Sequence, residues 1–188
     1  MKKYHVTIFI VFFVLFFATI SIASELEHGF MKYKWGESIS RYEDLTELYT
    51  KKDVTYYSNP GESYTLDDFP INDVIFGFYK GNLFAVYIGI DTLETYDDIN
   101  QHMKLKYGLP GTKISDKDHL TTIKWKYKDI TIKLKTDEIK RKMKLAFYYH
   151  PLSMDLKSEH LEEINETSFR FFPIDKNKKP KMIPFLEF

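Results

Sequence analysis

Hydrophobic and polar positions follow three patterns along this chain. Residues 6–18 form an uncharged, almost wholly apolar run behind Lys2 and Lys3, and Ser21-Ile22-Ala23 puts small residues at the two positions a signal peptidase reads. This predicts an export signal over residues 1–23. The second pattern is alternation, which marks strands because successive side chains point to opposite faces. Val74, Phe76 and Phe78 alternate with Ile75, Gly77 and Tyr79; residues 83–90 are apolar almost throughout, and Lys80-Gly81-Asn82 closes the pair as a hairpin. Two strands apolar on both faces belong in the centre of a sheet. Shorter strands are predicted at 54–58 and 62–66, around the turn Asn59-Pro60-Gly61.

The third pattern is helical. Residues 38–48 have Ser38 as N-cap and Ile39, Leu45 and Leu48 on one face. Residues 95–107 have Thr95 as cap, Asp97 and Asp98 in the first turn, and Gly108 and Pro110 as a stop, with Ile99, Met103 and either Lys106 or Tyr107 as the buried stripe. Three more strands follow at 122–127, 130–135 and 142–149. Helix then strands thus occurs twice. The predicted fold class is α+β, an antiparallel sheet with two helices in a duplicated helix-then-strands order, plus a C-terminal helix at 155–164 and a tail. The predicted organisation is a signal at 1–23, one domain at 24–165 with halves 30–91 and 95–150, and a tail at 166–188 whose Phe171, Phe172, Ile183, Phe185 and Leu186 favour packing as an extended strap.

Three short motifs carry a resemblance. Trp35-Gly36 before a short helix, the run from Phe76 through Gly77-Phe78-Tyr79-Lys80-Gly81-Asn82 to Leu83, and Leu105-Lys106-Tyr107-Gly108-Leu109-Pro110 resemble a group of small exported bacterial proteins of unassigned function. The order of elements is also similar to the tandem modules of beta-lactamase inhibitory proteins and to the outer-membrane assembly lipoprotein fold. The resemblance spans residues 30–151 and implies an exported binding or accessory protein. It transfers no functional residue, because Trp35, Gly81 and Gly108 are accounted for by packing and turns. The lipobox cysteine of a tethered lipoprotein is missing.

The chain contains no cysteine, which removes disulfides, thiolate metal sites, thiol nucleophiles and lipidation at the N-terminus of the cleaved form. The rival reading of the N-terminus is a retained anchor over residues 6–23; the short apolar stretch and the acidic Ser24-Glu25-Leu26-Glu27 behind it favour cleavage into a periplasmic or extracellular product. After cleavage, 25 basic and 27 acidic residues leave a net charge of −2, unlike a nucleic-acid binder. The distribution is polarised. Residues 24–100 hold 15 acidic and 6 basic side chains (−9), and residues 101–188 hold 12 and 19 (+7).

Catalytic chemistry finds little support. Asp116-Lys117-Asp118-His119 and Glu159-His160-Leu161-Glu162-Glu163 lack zinc-enzyme histidine spacing, and the first lacks the glycine and distal glutamate of a calcium loop. There is no Gly-x-Ser-x-Gly turn and no glycine-rich phosphate loop. Asp67-Asp68 and Asp97-Asp98 are adjacent pairs, whose side chains diverge in an extended segment and act as N-terminal charges on a helix. His102 and His150 remain as single imidazoles. No catalytic, cofactor or metal residue is assigned.

The last three strands hold the best candidate surface. Trp125, Tyr127, Ile130, Ile132, Leu134, Met143, Leu145, Phe147 and Tyr149 are expected on one face, and Lys124, Lys126, Lys128, Lys133, Lys135, Lys142 and Lys144 on the other. Such a face either meets an anionic partner, such as lipid headgroups, a polysaccharide or an acidic protein, or is a solvated face whose lysines block edge pairing. The expected function is an exported, non-enzymatic binding or accessory protein of the bacterial envelope. The alternatives are a small envelope hydrolase built on His119, His150 or His160 with a carboxylate, and a self-associating structural protein whose acidic and basic halves meet between chains.

Overall fold

The computed structural model describes residues 25–66, 69–71, 74–115, 119–137, 139, 142–154, 156 and 181–184. The export signal predicted at 1–23 lies outside them, as do the helix predicted at 155–164, apart from Leu156, and most of the tail. A one-turn helix, α1 (Glu25–His28), leads into a minimal hairpin of β1 (Gly29–Phe30) and β2 (Tyr33–Lys34), followed by a 3-10 turn, Ile39–Arg41. Then come β3 (Thr46–Lys51), β4 (Val54–Ser58), β5 (Glu62–Leu66), β6 (Phe69–Ile71), β7 (Val74–Tyr79) and β8 (Asn82–Ile90). Helix α2 (Leu93–Tyr107) crosses to β9 (Gly111–Ser115), β10 (Leu120–Tyr127), β11 (Ile130–Asp137) and β12 (Lys142–Tyr149). A single turn, α3 (His150–Ser153), follows, and β13 (Lys181–Pro184) closes the described chain.

Eight strands form one antiparallel sheet in the order β3-β4-β7-β8-β12-β11-β10-β9. The strands before α2 occupy one side and those after it the other, with β8 and β12 meeting in the middle. A smaller sheet orders β13-β5-β6, in which the backbone of Lys181–Pro184 runs parallel to β5. The architecture of the described residues is therefore an antiparallel sheet with few and mostly short helices.

The duplicated helix-then-strands order does not hold. Where a helix is predicted over 38–48, the chain makes the 3-10 turn Ile39–Arg41 and then enters β3. The reason is competition for the backbone. Gly36 N–H donates to Leu83 O at 2.8 Å, Leu83 N–H to Glu37 O at 3.0 Å and Ile39 N–H to Gly81 O at 2.9 Å, so the tip of the β7–β8 hairpin takes the groups a helix would pair internally. Ser38 does cap as expected, accepting from Ser40 N–H, but only for one turn. Helix α2 starts two residues before the predicted 95–107 and is capped by Thr92, whose hydroxyl accepts from Thr95 N–H at 3.1 Å. Ile99 and Met103 are its buried stripe, and Gly108, at φ 80°, ends it.

The two faces of the central strands hold separate apolar clusters. Phe76, Phe78, Val86, Ile88, Ile132, Leu134, Leu145 and Phe147 pack on one face under α2, β1, β2, β5 and β6. Val54, Tyr56, Ile75, Tyr79, Phe84, Ala85, Tyr87, Ala146 and Tyr148 pack on the other with Leu152 and Leu156. A bulge sets the β8 pattern: Gly77 pairs with Ala85 but Phe78 pairs with Leu83, leaving Phe84 as the extra residue. Phe84 and Ala85 consequently share a cluster although they are adjacent. Gly77 makes room for this arrangement, since a Cβ there would lie 3.1 Å from the Phe84 ring and 3.2 Å from the Tyr87 ring.

Polar bonds fasten the small elements to the main sheet. Tyr33 Oη donates to Asp44 at 2.7 Å, Asn59 Nδ2 donates to the same carboxylate at 2.8 Å, and Lys32 Nζ bridges Asp44 at 2.6 Å and Glu62 at 2.8 Å. Burial raises the Tyr33 phenol, and its bond to Asp44 adds to that. For Asp44, burial opposes ionisation, yet Lys32 and Tyr33 overcome it and hold the carboxyl below its ordinary value. Trp35 stacks on Tyr149 and donates from Nε1 to Leu26 O at 2.8 Å, a packing role as the sequence suggests.

Candidate anion-binding face

Cross-strand register places the lysines in rows. Paired residues share a face, so Lys124, Lys133, Ala146 and Tyr87 form one row across β10, β11, β12 and β8. The next row on one side is Thr122, Lys135, Lys144 and Gly89, and on the other Lys126, Thr131, Tyr148 and Ala85. Lys142 lies opposite Asp137. Six of the seven sequence candidates therefore share the face of the Tyr56–Tyr87–Tyr148 cluster. Lys128 does not: it sits in the β10–β11 turn at φ 49° and donates to Glu27 of α1. That bond raises the Lys128 ammonium and lowers the Glu27 carboxyl.

The six differ sharply in exposure. Lys124 and Lys126 are exposed, Lys133 and Lys142 are half-buried, Lys135 is 5 % exposed and Lys144 is fully covered. Lys144 Nζ lies 5.6 Å from the Tyr87 ring centroid and Lys133 Nζ 5.1 Å from that of Tyr148, so ring faces meet the ammonium groups where the apolar and basic regions join. The face is graded, from wholly apolar at β4 and β7, through Lys–Tyr contacts at β12, to solvated lysine at β10.

A cleft of about 270 Å³ opens at the solvated end, lined by Lys124, Thr131, Lys133, Tyr148, His150, Ser153, Met154 and Leu156. Strands β10, β11 and β12 supply its floor, and His150, Ser153, Met154 and Leu156 its wall. Pro151 suits the first turn of α3, where its missing N–H costs nothing. His150 N–H donates to Asp129 O at 2.7 Å, Met154 N–H to His150 O at 3.0 Å, and Ser153 Oγ to His150 O at 3.2 Å, which ties the wall to the β10–β11 turn and to itself. Leu156 is buried against the aromatic cluster, whereas Met154 is 69 % exposed at the rim.

Sequence reasoning found the lysines and weighed His150, but missed Thr131, Tyr148 and the wall. Thr131 and Tyr148 carry the same strand parity as Lys133 and Lys144, a signal present in the alternation. The wall had no such signal, because nothing in the sequence says where the chain goes after Tyr149. Among the described residues lining the cleft, His150 meets neither a carboxylate nor a second histidine. His119 lies at the far end of β10, about 25 Å away at ~3.3 Å per residue. His160, Asp67, Asp68 and the 116–118 and 159–163 acidic stretches lie outside the described residues, and among those described no three His, Asp or Glu side chains cluster. No described helix is long and apolar enough to cross a membrane.

A scan against protein-family models, a search of curated proteins and a search of solved structures each found no match to this chain.

Proposed function

We propose that this chain is an exported, non-enzymatic binding or accessory protein of the bacterial envelope, and that the basic end of its sheet is the surface that meets an anionic partner. The observation carrying this reading is the row arrangement, in which the exposed Lys124 stands directly opposite the half-buried Lys133 with the exposed Lys126 in the next row. Lysines on paired and neighbouring rows concentrate positive charge at this end of the sheet, and an anion held there is attracted by more than one of them. Export rests on the N-terminal pattern of residues 1–23.

The test uses vesicles of phosphatidylglycerol as the anionic surface and of phosphatidylcholine as the neutral one, sedimented with the purified chain. Retention on the anionic vesicles is expected to fall about tenfold in Lys124→Glu/Lys126→Glu, and to weaken for the parent between about 0.01 and 0.15 M salt as screening shortens. Equal retention of parent and variant removes the proposal. Export is checked separately by mass spectrometry of the product released from cells, whose first residue is expected to be Ser24.

A further inference from the structure

We infer that the cleft beside Lys124 and Lys133 is a binding site for a single phosphate ester carried on a small apolar body. This deepens the reading of the face as an anionic contact and rests on it. Three observations converge on the ligand class.

The charge is provided by two lysines on paired positions of β10 and β11, whose Cβ atoms stand about 5 Å apart at such a pair. An ammonium is a compact point charge with three donors, so two of them lining one space from neighbouring strands suit a tetrahedral oxyanion; planar carboxylate recognition favours the arginine fork, and no arginine is among the described residues that line the cleft. Thr131 adds a neutral hydroxyl in the row next to Lys133, and the Tyr148 ring already holds the Lys133 ammonium over its face at 5.1 Å. The lysine is thereby positioned beside the space rather than extended into solvent.

The wall is apolar. Leu156 is buried and Met154 presents a largely exposed thioether at the rim, which a bare inorganic ion would leave unused. Met is a side chain that adapts to irregular apolar surfaces, so the ligand body is expected to rest there while its phosphate reaches the lysines. The size excludes a polymer from the interior. At about 270 Å³ the space falls at or below the lower end of the range for drug-sized ligands, enough for one headgroup or one aryl phosphate.

A soluble phosphate monoester and the headgroup of an anionic phospholipid share this chemistry, and the experiment separates them. The full chain is titrated calorimetrically with phenyl phosphate, inorganic phosphate and phenol, and sedimented with phosphatidylglycerol vesicles. The expected result is saturable binding of phenyl phosphate, weaker binding of inorganic phosphate by about tenfold, and none of phenol. Lys124→Gln/Lys133→Gln is expected to weaken phenyl phosphate at least tenfold and Met154→Ser about threefold. Lys104→Gln, exposed on α2 against the opposite face of the sheet, is expected to leave it unchanged. Circular dichroism melts of each variant confirm that it is folded.

Saturable phenyl phosphate binding without vesicle binding assigns the site to soluble esters; both together assign it to headgroups. Absence of saturable binding, or an equal loss in Lys104→Gln, overturns the cleft. Vesicle retention that still depends on Lys124 and Lys126 in that case leaves the broader face reading standing, so the two failures are distinguishable.

Discussion

The two faces of the eight-stranded sheet are written by the same strands and finish differently. On one, Phe76, Phe78, Val86, Ile132 and Phe147 are sealed beneath α2 and the small sheets, with Phe30 and Tyr33 brought in from the N-terminal hairpin. On the other, aromatic packing at β4, β7 and β8 gives way to lysine at β10 and β11. On the proposed reading of the basic end, the difference separates stability from recognition. Substitutions on the sealed face should cost folding, and those at the basic end should cost only binding.

Phe76→Ala tests the sealed face most severely. Phe76 is fully covered and its ring lies 4.3 Å from that of Tyr33 and 6.2 Å from that of Phe30, so truncation leaves a cavity that fixed strands cannot close. A loss of about 3–5 kcal/mol in urea unfolding is expected. A loss below about 1 kcal/mol would mean that the face repacks freely.

Alkaline pH should come next. Burial raises the phenols of Tyr33, Tyr64 and Tyr107 on the sealed face and of Tyr87 on the other, and burial together with the bond to Glu37 pushes Tyr42 up to about 12. A folded-state pKa above the unfolded one gives stability that is complete below the unfolded value, about 10 for tyrosine, and is lost as pH rises through the folded value. Lys32 adds in the same direction, because its ion pairs with Asp44 and Glu62 outweigh the opposing effect of burial. The melting temperature should hold to about pH 9 and fall steeply beyond pH 10. Asp44 is depressed, so its share is present above about pH 4 and disappears as pH falls further.

Gly77→Ala and Tyr33→Phe give smaller effects that sharpen the contrast. The alanine methyl would press on the Phe84 and Tyr87 rings at 3.1 and 3.2 Å, and a net cost of about 1 kcal/mol is expected after the gain in chain entropy. Tyr33→Phe deletes the phenol that donates to Asp44 and accepts from Asn59, for about 1 kcal/mol at neutral pH. It should also flatten the alkaline loss. A Tyr33→Phe protein with the parent's alkaline profile would show that this phenol does not titrate with unfolding.

Much of this contrast was legible in the sequence, for identifiable reasons. The β7–β8 hairpin announces itself because both its faces are apolar, and its turn residues Lys80 and Gly81 both take the positive φ that a tight hairpin needs. Lysine parity survives into the structure because β10, β11 and β12 pair without a bulge. Strand β3 was illegible: five of its six residues are exposed, so an edge strand showed no alternation, and Ile39, Leu45 and Leu48 imitated a helix instead. The bulge at Phe84 and the meeting of β8 with β12 depend on tertiary register. So does the cleft, because its wall is placed by the bond from His150 N–H to Asp129 O and not by any periodicity.

Lys126→Gln should have the least effect on stability and the most telling one on the comparison. Lys126 is exposed, and its row continues through Thr131 to Tyr148, so the side chain stands at the solvated edge of a face whose other end is packed. A surface substitution away from caps and buried bonds changes stability by no more than about 0.5 kcal/mol. If the basic end exists to contact an anion, the same change lowers retention on phosphatidylglycerol vesicles while the urea midpoint stays put. Loss of both together would place Lys126 in the fold and erase the division between the two ends of this face; loss of neither would make its charge a solvated ornament of the edge, and would move the contact surface inward to Lys124 and Lys133.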